Sequence, residues 1–306
     1  MTRILTSRKN AGIRWPSRVA LESFLKGSGI TSRVPKLAGL LKLVSETESL
    51  RSVLANVDSI YLRAIGIGAR ETFRAAIRGG PTMTFPSPRG PAFFSSNVLL
   101  MLRETWANRT YTPPGFEIHD GDFIVDIGAN VGVFTLFAAT RSPHGYVVAT
   151  EPVPEIYDFL RANVVANGLR NVKIFQYAVL DRPGHGYLWC DSRNVGGHSV
   201  FRARISSPAT HQVPVEFIAL EQLLSEAKVD RVNFLKIDCE GSEYPILLRA
   251  SEETLRKVDR IALEYHFVDG QEYSPLDIAT RLAFAGFQVT TGTPDGDSGM
   301  MWARRV

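Results

Sequence analysis

Cysteine is scarce in this chain of 306 residues, which contains only Cys190 and Cys239. Two cysteines exclude a disulfide framework and a cysteine-rich zinc module, and they are typical of a reducing compartment. Long apolar runs are missing as well, since no stretch reaches the roughly 20 consecutive apolar residues that a transmembrane helix needs. The N-terminal residues also lack the apolar segment of a secretory signal. We therefore expect a cytoplasmic protein.

Positive charge is concentrated at one end of the chain. Residues 1–80 contain 14 Lys and Arg against 5 Asp and Glu (+9), and the remaining 226 contain 21 against 26 (−5), which sums to the +4 of the whole chain. Such a basic segment can contact anionic lipid at the inner face of a membrane, nucleic acid or a carrier protein. It can equally be the solvated surface of ordinary helices. We favour the second interpretation and expect no nucleic-acid partner, while a homo-oligomer stays open.

The chain divides near residue 80. Before it, apolar residues recur at helical spacing in two sets, which are Leu37, Leu40, Leu41, Val44 and Leu50, Val53, Leu54, Val57. Residues 70–78 are interpreted as a third helix, and the Gly-Gly-Pro sequence at 79–81 ends the pattern. We predict a basic helical extension over 1–80 and a catalytic domain over 81–306 with its core at 110–290.

Strands and helices alternate after residue 122. Strands are predicted over 123–127, 146–150, 172–177, 233–237 and 260–264, and helices over 97–108, 133–140, 154–167, 220–227 and 244–249. The alternation predicts an α/β fold with a mostly parallel sheet and helices on both faces. The interval 181–216 is rich in Gly, Ser and His, and we predict that it carries a β-hairpin insertion.

A glycine turn after the first of these strands predicts a cofactor site. Gly128 and Gly132 allow the backbone to turn tightly and to approach a ligand. Asp126 precedes the turn and can accept from an ammonium group or a water. Glu151 ends the next strand, 25 residues later, where a carboxylate suits the two hydroxyls of a ribose.

The same turn argues against a dinucleotide-dependent dehydrogenase. The dinucleotide fingerprint is Gly-x-Gly-x-x-Gly, but Asn130 and Val133 stand here at its second and third glycine positions. Asn130 would crowd a pyrophosphate. S-adenosylmethionine has no phosphate and carries an amino-acid end, for which an acid and an amide are suitable partners.

The sequence resembles the FkbM-type methyltransferases. The resemblance rests on Tyr-Thr-Pro-Pro-Gly-Phe-Glu-Ile at 111–118, Asp-Gly-Asp-Phe-Ile-Val-Asp-Ile-Gly-Ala-Asn-Val-Gly-Val-Phe-Thr at 120–135, Glu151-Pro152, Asn163, Asn-Gly at 167–168, Leu-Lys-Ile-Asp-Cys-Glu-Gly-Ser-Glu at 235–243, Leu-Glu-Tyr-His at 263–266 and Gly-Phe at 286–287. It covers about residues 110–290, but neither the segment before residue 80 nor the detail of 181–216.

The resemblance implies a Rossmann-like class I methyltransferase fold with a seven-stranded sheet, and S-adenosylmethionine as the methyl donor. It also implies O-methylation of a sugar, a glycolipid or a secondary metabolite such as a polyketide or peptide. The cofactor residues carried over by the resemblance are Asp126, Gly128, Asn130, Gly132 and Glu151, with Ala178 near the adenine.

Ionisable residues follow the fourth and fifth predicted strands, where ligands of an open parallel sheet collect. His266 is the first candidate for a general base near neutral pH, and Asp238 is the second or an orienting partner. Asp238 and Glu264, with an amide or imidazole, can instead hold Mg²⁺. Glu240 and Glu264 are candidates for contact with the substrate, and Glu240 can instead cap the helix that follows.

Two further residues have a functional and a structural interpretation. Lys236 shares a strand face with Asp238, and we interpret it as a counterion to the acids rather than a substrate ligand. His198 lies in a Gly-Gly-His-Ser turn that can cover the acceptor, or that is a surface turn. Trp189 and Phe201 nearby either stack on a sugar ring or pack the hairpin.

Two other functions compete with this one. An RNA- or protein-directed methyltransferase acting on nitrogen would be expected to carry an Asn/Asp-Pro-Pro-aromatic turn, whereas residues 238–241 read Asp-Cys-Glu-Gly. A non-catalytic interaction module on the same scaffold is the second alternative. The presence of Asp126, Glu151 and Asp238 argues against a site that has lost its function.

Overall fold

The computed structural model describes residues 50–56, 72–86, 97–191, 198–201, 210–268, 270 and 272–306. Its strands are β1 (Thr72–Ala76), β2 (Thr82–Pro86), β3 (Phe123–Ile127), β4 (Tyr146–Thr150), β5 (Val172–Phe175), β6 (Ala178–Leu180), β7 (Gly184–Asp191), β8 (His198–Ser199), β9 (Thr210–Ala219), β10 (Phe234–Ile237), β11 (Arg260–His266), β12 (Phe287–Thr291) and β13 (Ser298–Arg305). Its α-helices are α1 (Asn97–Leu102), α2 (Val133–Arg141), α3 (Pro154–Ala166), α4 (Leu220–Ala227), α5 (Glu243–Arg249), α6 (Glu252–Arg256) and α7 (Pro275–Phe284), and a π-helical turn (Arg103–Ala107) continues α1.

The main sheet has seven strands in the order β12-β13-β11-β10-β3-β4-β5. The strands from β11 to β5 pair in parallel, and β13 runs antiparallel to both of its neighbours. This confirms the predicted α/β class and the mostly parallel seven-stranded sheet. The strand order reverses beside β3, which is the position where such sheets bind their ligands.

Alternation along β3 distributes its side chains between the two faces of the sheet. Ile124 packs into one buried apolar cluster together with residues of α2 and α3. Val125 and Ile127 pack into a second cluster with residues of α4, α5 and α7. Helices therefore cover both faces, as predicted, and the sheet separates two cores.

An N-terminal β-hairpin docks on α3 through two asparagine side chains. β1 pairs antiparallel with β2. Asn163 accepts from the N–H of Thr84 at 2.7 Å and donates to its carbonyl at 2.9 Å. Asn167, one helical turn later, makes the same pair of bonds with Thr82 at 2.8 Å each. Residues four apart on a helix share a face, so the two amides bind the edge of β2 as a neighbouring strand would.

The hairpin corrects one interpretation of the N-terminal segment. Residues 70–78 were expected to be helical, but residues 72–76 form β1, because the Gly-Gly turn at 79–80 lets this segment pair with β2. The helix predicted around Leu37 lies outside the described residues. The second predicted helix, from Leu50 to Val57, is wrong, because residues 51–53 form a turn and Leu54 pairs antiparallel with Ile77. The division at residue 80 stays a prediction, although β1 and β2 pair across it. Among the described residues, no helix has both the length and the apolar character needed to cross a membrane.

Leu54 allows a test of whether the segment before residue 80 is separable. Its side chain is fully buried in the same apolar cluster as Phe85 and Phe134. Leu54→Ala should therefore lower the free energy of unfolding of the whole domain by about 2–5 kcal/mol, measured by urea unfolding. Val165→Ala is the control, because Val165 is 73% exposed on α3 and should change stability by less than about 0.5 kcal/mol. If Leu54→Ala leaves the main unfolding transition unchanged, this segment is an independent unit.

The segment between β5 and β10 forms a second sheet of four strands, in the order β6-β9-β7-β8. β7 pairs antiparallel with β9 over the whole length of β7, from Gly184 opposite Phe217 to Asp191 opposite Thr210. The predicted β-hairpin insertion is therefore confirmed.

Candidate active site

The glycine turn between β3 and α2 is built from left-handed backbone. Gly128, Asn130 and Gly132 have φ angles of 76°, 51° and 96°. A Cβ on Gly128 would lie 1.8 Å from the carbonyl oxygen of Asp238. Gly128 is thus required by the close approach of this chain's own backbone, in addition to the ligand access expected from the sequence. The turn and the segment after β10 are in direct contact.

Lys236 lies between the glycine turn and the acidic residues. It is opposite Asp126 in the pairing of β10 with β3, and its Nζ is 3.1 Å from Asp126 Oδ1 and 3.6 Å from Asp238 Oδ2. Nζ also donates to the carbonyl oxygen of Gly128 at 2.8 Å. Burial alone lowers the pKa of Lys236, but the charges of Asp126 and Asp238 outweigh it and raise the pKa. The side chain is a buried cation that contacts both the glycine turn and Asp238.

Asp126 is fully buried, and its carboxylate is occupied from within the protein. Thr135 donates to Oδ2 at 2.6 Å, while Lys236 neutralises Oδ1. In this arrangement Asp126 fixes the lysine and the start of α2. Its predicted role as a direct cofactor ligand stays a prediction.

Glu151 follows β4 and is held by backbone donors. The N–H groups of Asn130 and Val153 donate to its two carboxylate oxygens at 3.1 and 2.9 Å, so each oxygen keeps a lone pair for a ligand. Burial raises the pKa of Glu151 to about 7, partly offset by these two bonds. Ala178, predicted near the adenine, is buried at the start of β6.

The carboxyl ends of β10 and β11 bring Asp238 and Glu264 together, as the sequence predicted. The hydroxyl of Tyr111 lies 2.9 Å from Asp238 Oδ2 and 3.3 Å from Glu264 Oε2. Burial and the charge of Asp238 raise the pKa of Glu264 to about 7. Ligand atoms of Asp238, Glu264 and His266 lie within 4.8 Å of one another. These three residues form a single cluster beside the glycine turn.

His266 is oriented by a carboxylate that the sequence analysis did not assign. Its Nδ1 is 3.0 Å from Oε1 of Glu243, a fully buried residue at the start of α5. Its Nε2 faces Glu240 and Glu264 at 3.7 and 3.8 Å. Burial alone lowers the pKa of His266, but Glu243, Glu240 and Asp238 outweigh it and raise the pKa to about 10. In this form the imidazole carries a proton at neutral pH, and the general-base roles of His266 and Asp238 stay predictions.

A further acid, Glu104, approaches from the N-terminal side. Burial and the charges of Glu264 and Asp238 raise the pKa of Glu104 to about 8. Glu104 belongs to the π-helical turn, a distortion that is frequent at functional sites. Sequence reasoning missed it, because nothing in the local pattern distinguishes this acid from one on the solvent face of a helix.

The inserted sheet contacts the segment at 238–241. Ser199 in β8 donates to the carbonyl of Glu240 at 2.6 Å, and a Cβ on Gly241 would lie 3.0 Å from the ring of Phe201. His198 and Trp189 lie on β8 and β7, where their strands pair. The insertion therefore covers this segment, and Phe201 packs against it. Binding of an acceptor by His198 stays a prediction.

A separate open cleft of about 700 Å³ lies between β5 and the inserted sheet. Aromatic residues contribute much of its lining, namely Tyr157, Phe175, Tyr177 and Tyr187. Asp238, Glu264 and His266 are not among its lining residues. It adjoins the cofactor side of the site through Pro152, the residue after Glu151.

The sequence of this chain is similar to those of known proteins. The model of the FkbM methyltransferase domain matches residues 126–289, more than half of the chain. The 31-O-demethyl-FK506 methyltransferase FkbM of Streptomyces tacrolimicus is 28% identical over 196 residues, which cover 56% of this chain and 75% of that protein. Methyltransferase 1 of Beauveria bassiana is 27% identical over 213 residues, with 63% and 82% covered. The hexuronic acid methyltransferase AglP of Haloferax volcanii is 25% identical over 174 residues, with 55% and 66% covered.

Proposed function

This chain belongs to the FkbM methyltransferase family, and we propose that it transfers a methyl group from S-adenosylmethionine to a hydroxyl oxygen of a sugar, a glycolipid or a secondary metabolite. The observation that carries the proposal is the contact between the glycine turn and the acidic cluster. The carbonyl oxygen of Asp238 lies against Gly128, so a donor seated on the turn and an acceptor beside Asp238 are neighbours.

The residues around the glycine turn fit the proposed cofactor. S-adenosylmethionine supplies a methyl group on a positively charged sulfur when it is bound. Glu151 offers one free lone pair on each oxygen, which suits the two hydroxyls of a ribose. The hydroxyl of Thr150, one residue earlier, is buried without a hydrogen-bond partner among the described residues, so it is available to a ligand.

In this proposal Asp238 receives the proton of the acceptor hydroxyl. A hydroxyl is a weak nucleophile, and a base beside it speeds the transfer. Asp238 is 29% exposed at its side chain, whereas His266 is almost fully buried and protonated. Tyr111 and Lys236 hold the carboxylate from one side and leave the rest of it for the acceptor hydroxyl.

A second route to the same reaction uses a divalent cation such as Mg²⁺. Asp238 and Glu264 would hold the ion, and its charge would lower the pKa of a bound hydroxyl. The excess of carboxylates over cations at the strand ends supports this route. Loss of activity in EDTA and its return with Mg²⁺ would favour the cation over a protein base acting alone.

Two observations support the acceptor class. The names of two relatives give 31-O-demethyl-FK506 and hexuronic acid as the compounds that those proteins methylate. The aromatic residues of the cleft next to Pro152 suit the faces of rings. The test is incubation with radiolabelled S-adenosylmethionine and metabolite extracts, followed by mass spectrometry of the labelled product. A product methylated on nitrogen or carbon would contradict the proposal.

Glu151→Ala should weaken binding of S-adenosylhomocysteine. Loss of hydrogen bonds to a charged acceptor costs about 1.5–3 kcal/mol, which corresponds to a Kd about 10- to 150-fold higher by calorimetry. Glu151→Gln keeps the volume and should give a smaller loss. Glu155→Ala, which removes an exposed acid of α3, is the control and should leave Kd unchanged. An unchanged Kd in Glu151→Ala would exclude this residue from the cofactor site.

A further inference from the structure

The arrangement around His266 points to a specific kind of metal site. We propose that Asp238, Glu264 and Nε2 of His266 bind one divalent transition-metal ion of the Mn²⁺ or Zn²⁺ class, with Glu243 and Tyr111 orienting the ligands. This deepens the cation route of the proposed function, because it names a nitrogen ligand and therefore a different class of ion from Mg²⁺. It is nevertheless testable without a methyl donor or an acceptor.

The distances allow a single ion to contact all three residues. Their ligand atoms lie within 4.8 Å of one another. Ligands about 2.0–2.2 Å from a metal are separated by at most about 4.4 Å, so a separation at the upper limit would have to close by a few tenths of an ångström when the ion binds. Two of the ligands are carboxylates and the third is an imidazole. A neutral imidazole favours transition metals, whereas Mg²⁺ is bound through oxygen, so the ion would replace the proton that His266 carries in the metal-free protein.

His266 provides an observation that is independent of the acids. The residue is only 4% exposed, and its Nε2 faces the carboxylates with no hydrogen-bond acceptor in range among the described residues. Nδ1 is held by Glu243, which in turn accepts from the N–H groups of Cys239 and Gly241 at 3.0 and 2.8 Å. A ligating histidine commonly has its second nitrogen held by a carboxylate in this way.

Tyr111 completes the set of orienting residues. Its hydroxyl lies between Asp238 Oδ2 and Glu264 Oε2, which are the two carboxylates of the proposed site. The other oxygens of the two carboxylates are Oδ1 of Asp238 and Oε1 of Glu264, and the side chain of Ser298 is a further hydrogen-bond partner of Glu264. Metal-bound carboxylates are themselves commonly hydrogen-bonded, which fixes their direction. Both ligand types therefore have a buried partner on the side away from the ion.

The test is titration of the full chain with Mn²⁺ alone. The electron paramagnetic resonance signal of the free ion measures how much Mn²⁺ is bound. We expect one Mn²⁺ per chain, loss of this binding in His266→Ala, and a Kd about 10- to 100-fold higher in Glu243→Gln. Tyr111→Phe is a gentler change that should also weaken binding if Glu243→Gln fails to fold. His144→Ala is the control, because His144 pairs with Asp120 in an exposed place elsewhere and should leave the Kd unchanged.

Three results would overturn the proposal. They are no Mn²⁺ binding by the wild-type chain at millimolar concentration, unchanged binding in His266→Ala, and displacement of Mn²⁺ by an equal concentration of Mg²⁺. The last would indicate a site made of oxygen ligands only. Mn²⁺ binding by a chain that does not bind S-adenosylhomocysteine would support the metal site while contradicting the proposed function.

Discussion

Asp238→Asn should lower kcat by about 10²–10⁴-fold, the range that a positioned base or base-assisting metal contributes. The substitution keeps the size of the side chain and removes its charge, so the side chain can no longer take the proton of the acceptor hydroxyl. Radiolabel transfer to the acceptor found by the extract screen measures kcat. Calorimetry with S-adenosylhomocysteine should show an unchanged Kd, because cofactor binding depends on Glu151 and the glycine turn.

Asp230→Asn is the matched control, since Asp230 is an exposed acid before the opposite end of β10. It should leave both kcat and Kd at the wild-type values. His266→Gln tests the other predicted base. If the imidazole rather than Asp238 accepts the proton, His266→Gln will lower kcat as strongly while Asp238→Asn stays near wild type. Retention of full activity by both variants would mean that catalysis depends on the positioning of donor and acceptor alone, or on residues of the inserted sheet. His198 is the next residue to replace in that sheet.

The fold was largely predictable because its signals are local and repeated. The alternation of apolar strands with amphipathic helices after residue 122 predicted the order and nearly the bounds of β3, β4, β5, β10 and β11. Parallel strands then fixed which ends meet, so Asp238 and Glu264 could be expected to approach. β1 was missed because a pairing with β2 outweighs local helix propensity, and a single sequence does not display that pairing.

The parts of the site that could not be predicted depend on contacts between distant segments. Glu243 reads as an ordinary acid in the first turn of α5, and only the packing of β11 against α5 brings its carboxylate to His266. Glu104 reaches the cluster from a segment more than 130 residues before Asp238. For the same reason the protonation of His266 could not be read from the sequence, since it results from Asp238, Glu240 and Glu243, between the end of β10 and the start of α5.

Lys236→Met should lower the free energy of unfolding by about 3–5 kcal/mol, the usual effect of removing one partner of a buried ion pair. The lysine side chain is 4% exposed and Asp126 is fully buried, so the substitution leaves a buried carboxylate without its cation. The hydroxyl of Thr135 would still donate to it. Guanidinium unfolding measures the loss, and Lys257→Met is the control. Lys257 pairs with Glu253 at 3.8 Å on the surface, where such a pair contributes at most about 1 kcal/mol.

The double variant Lys236→Met with Asp126→Asn distinguishes this cause from a simple loss of packing. Asn keeps the shape of Asp126 and can still accept from Thr135, but it removes the uncompensated charge. The double variant should therefore be more stable than Lys236→Met alone, which is a departure from additivity that a double-mutant cycle measures. Additive losses would mean that the two residues do not interact, and the buried lysine would then have to be stabilised by the Gly128 carbonyl and Asp238 instead.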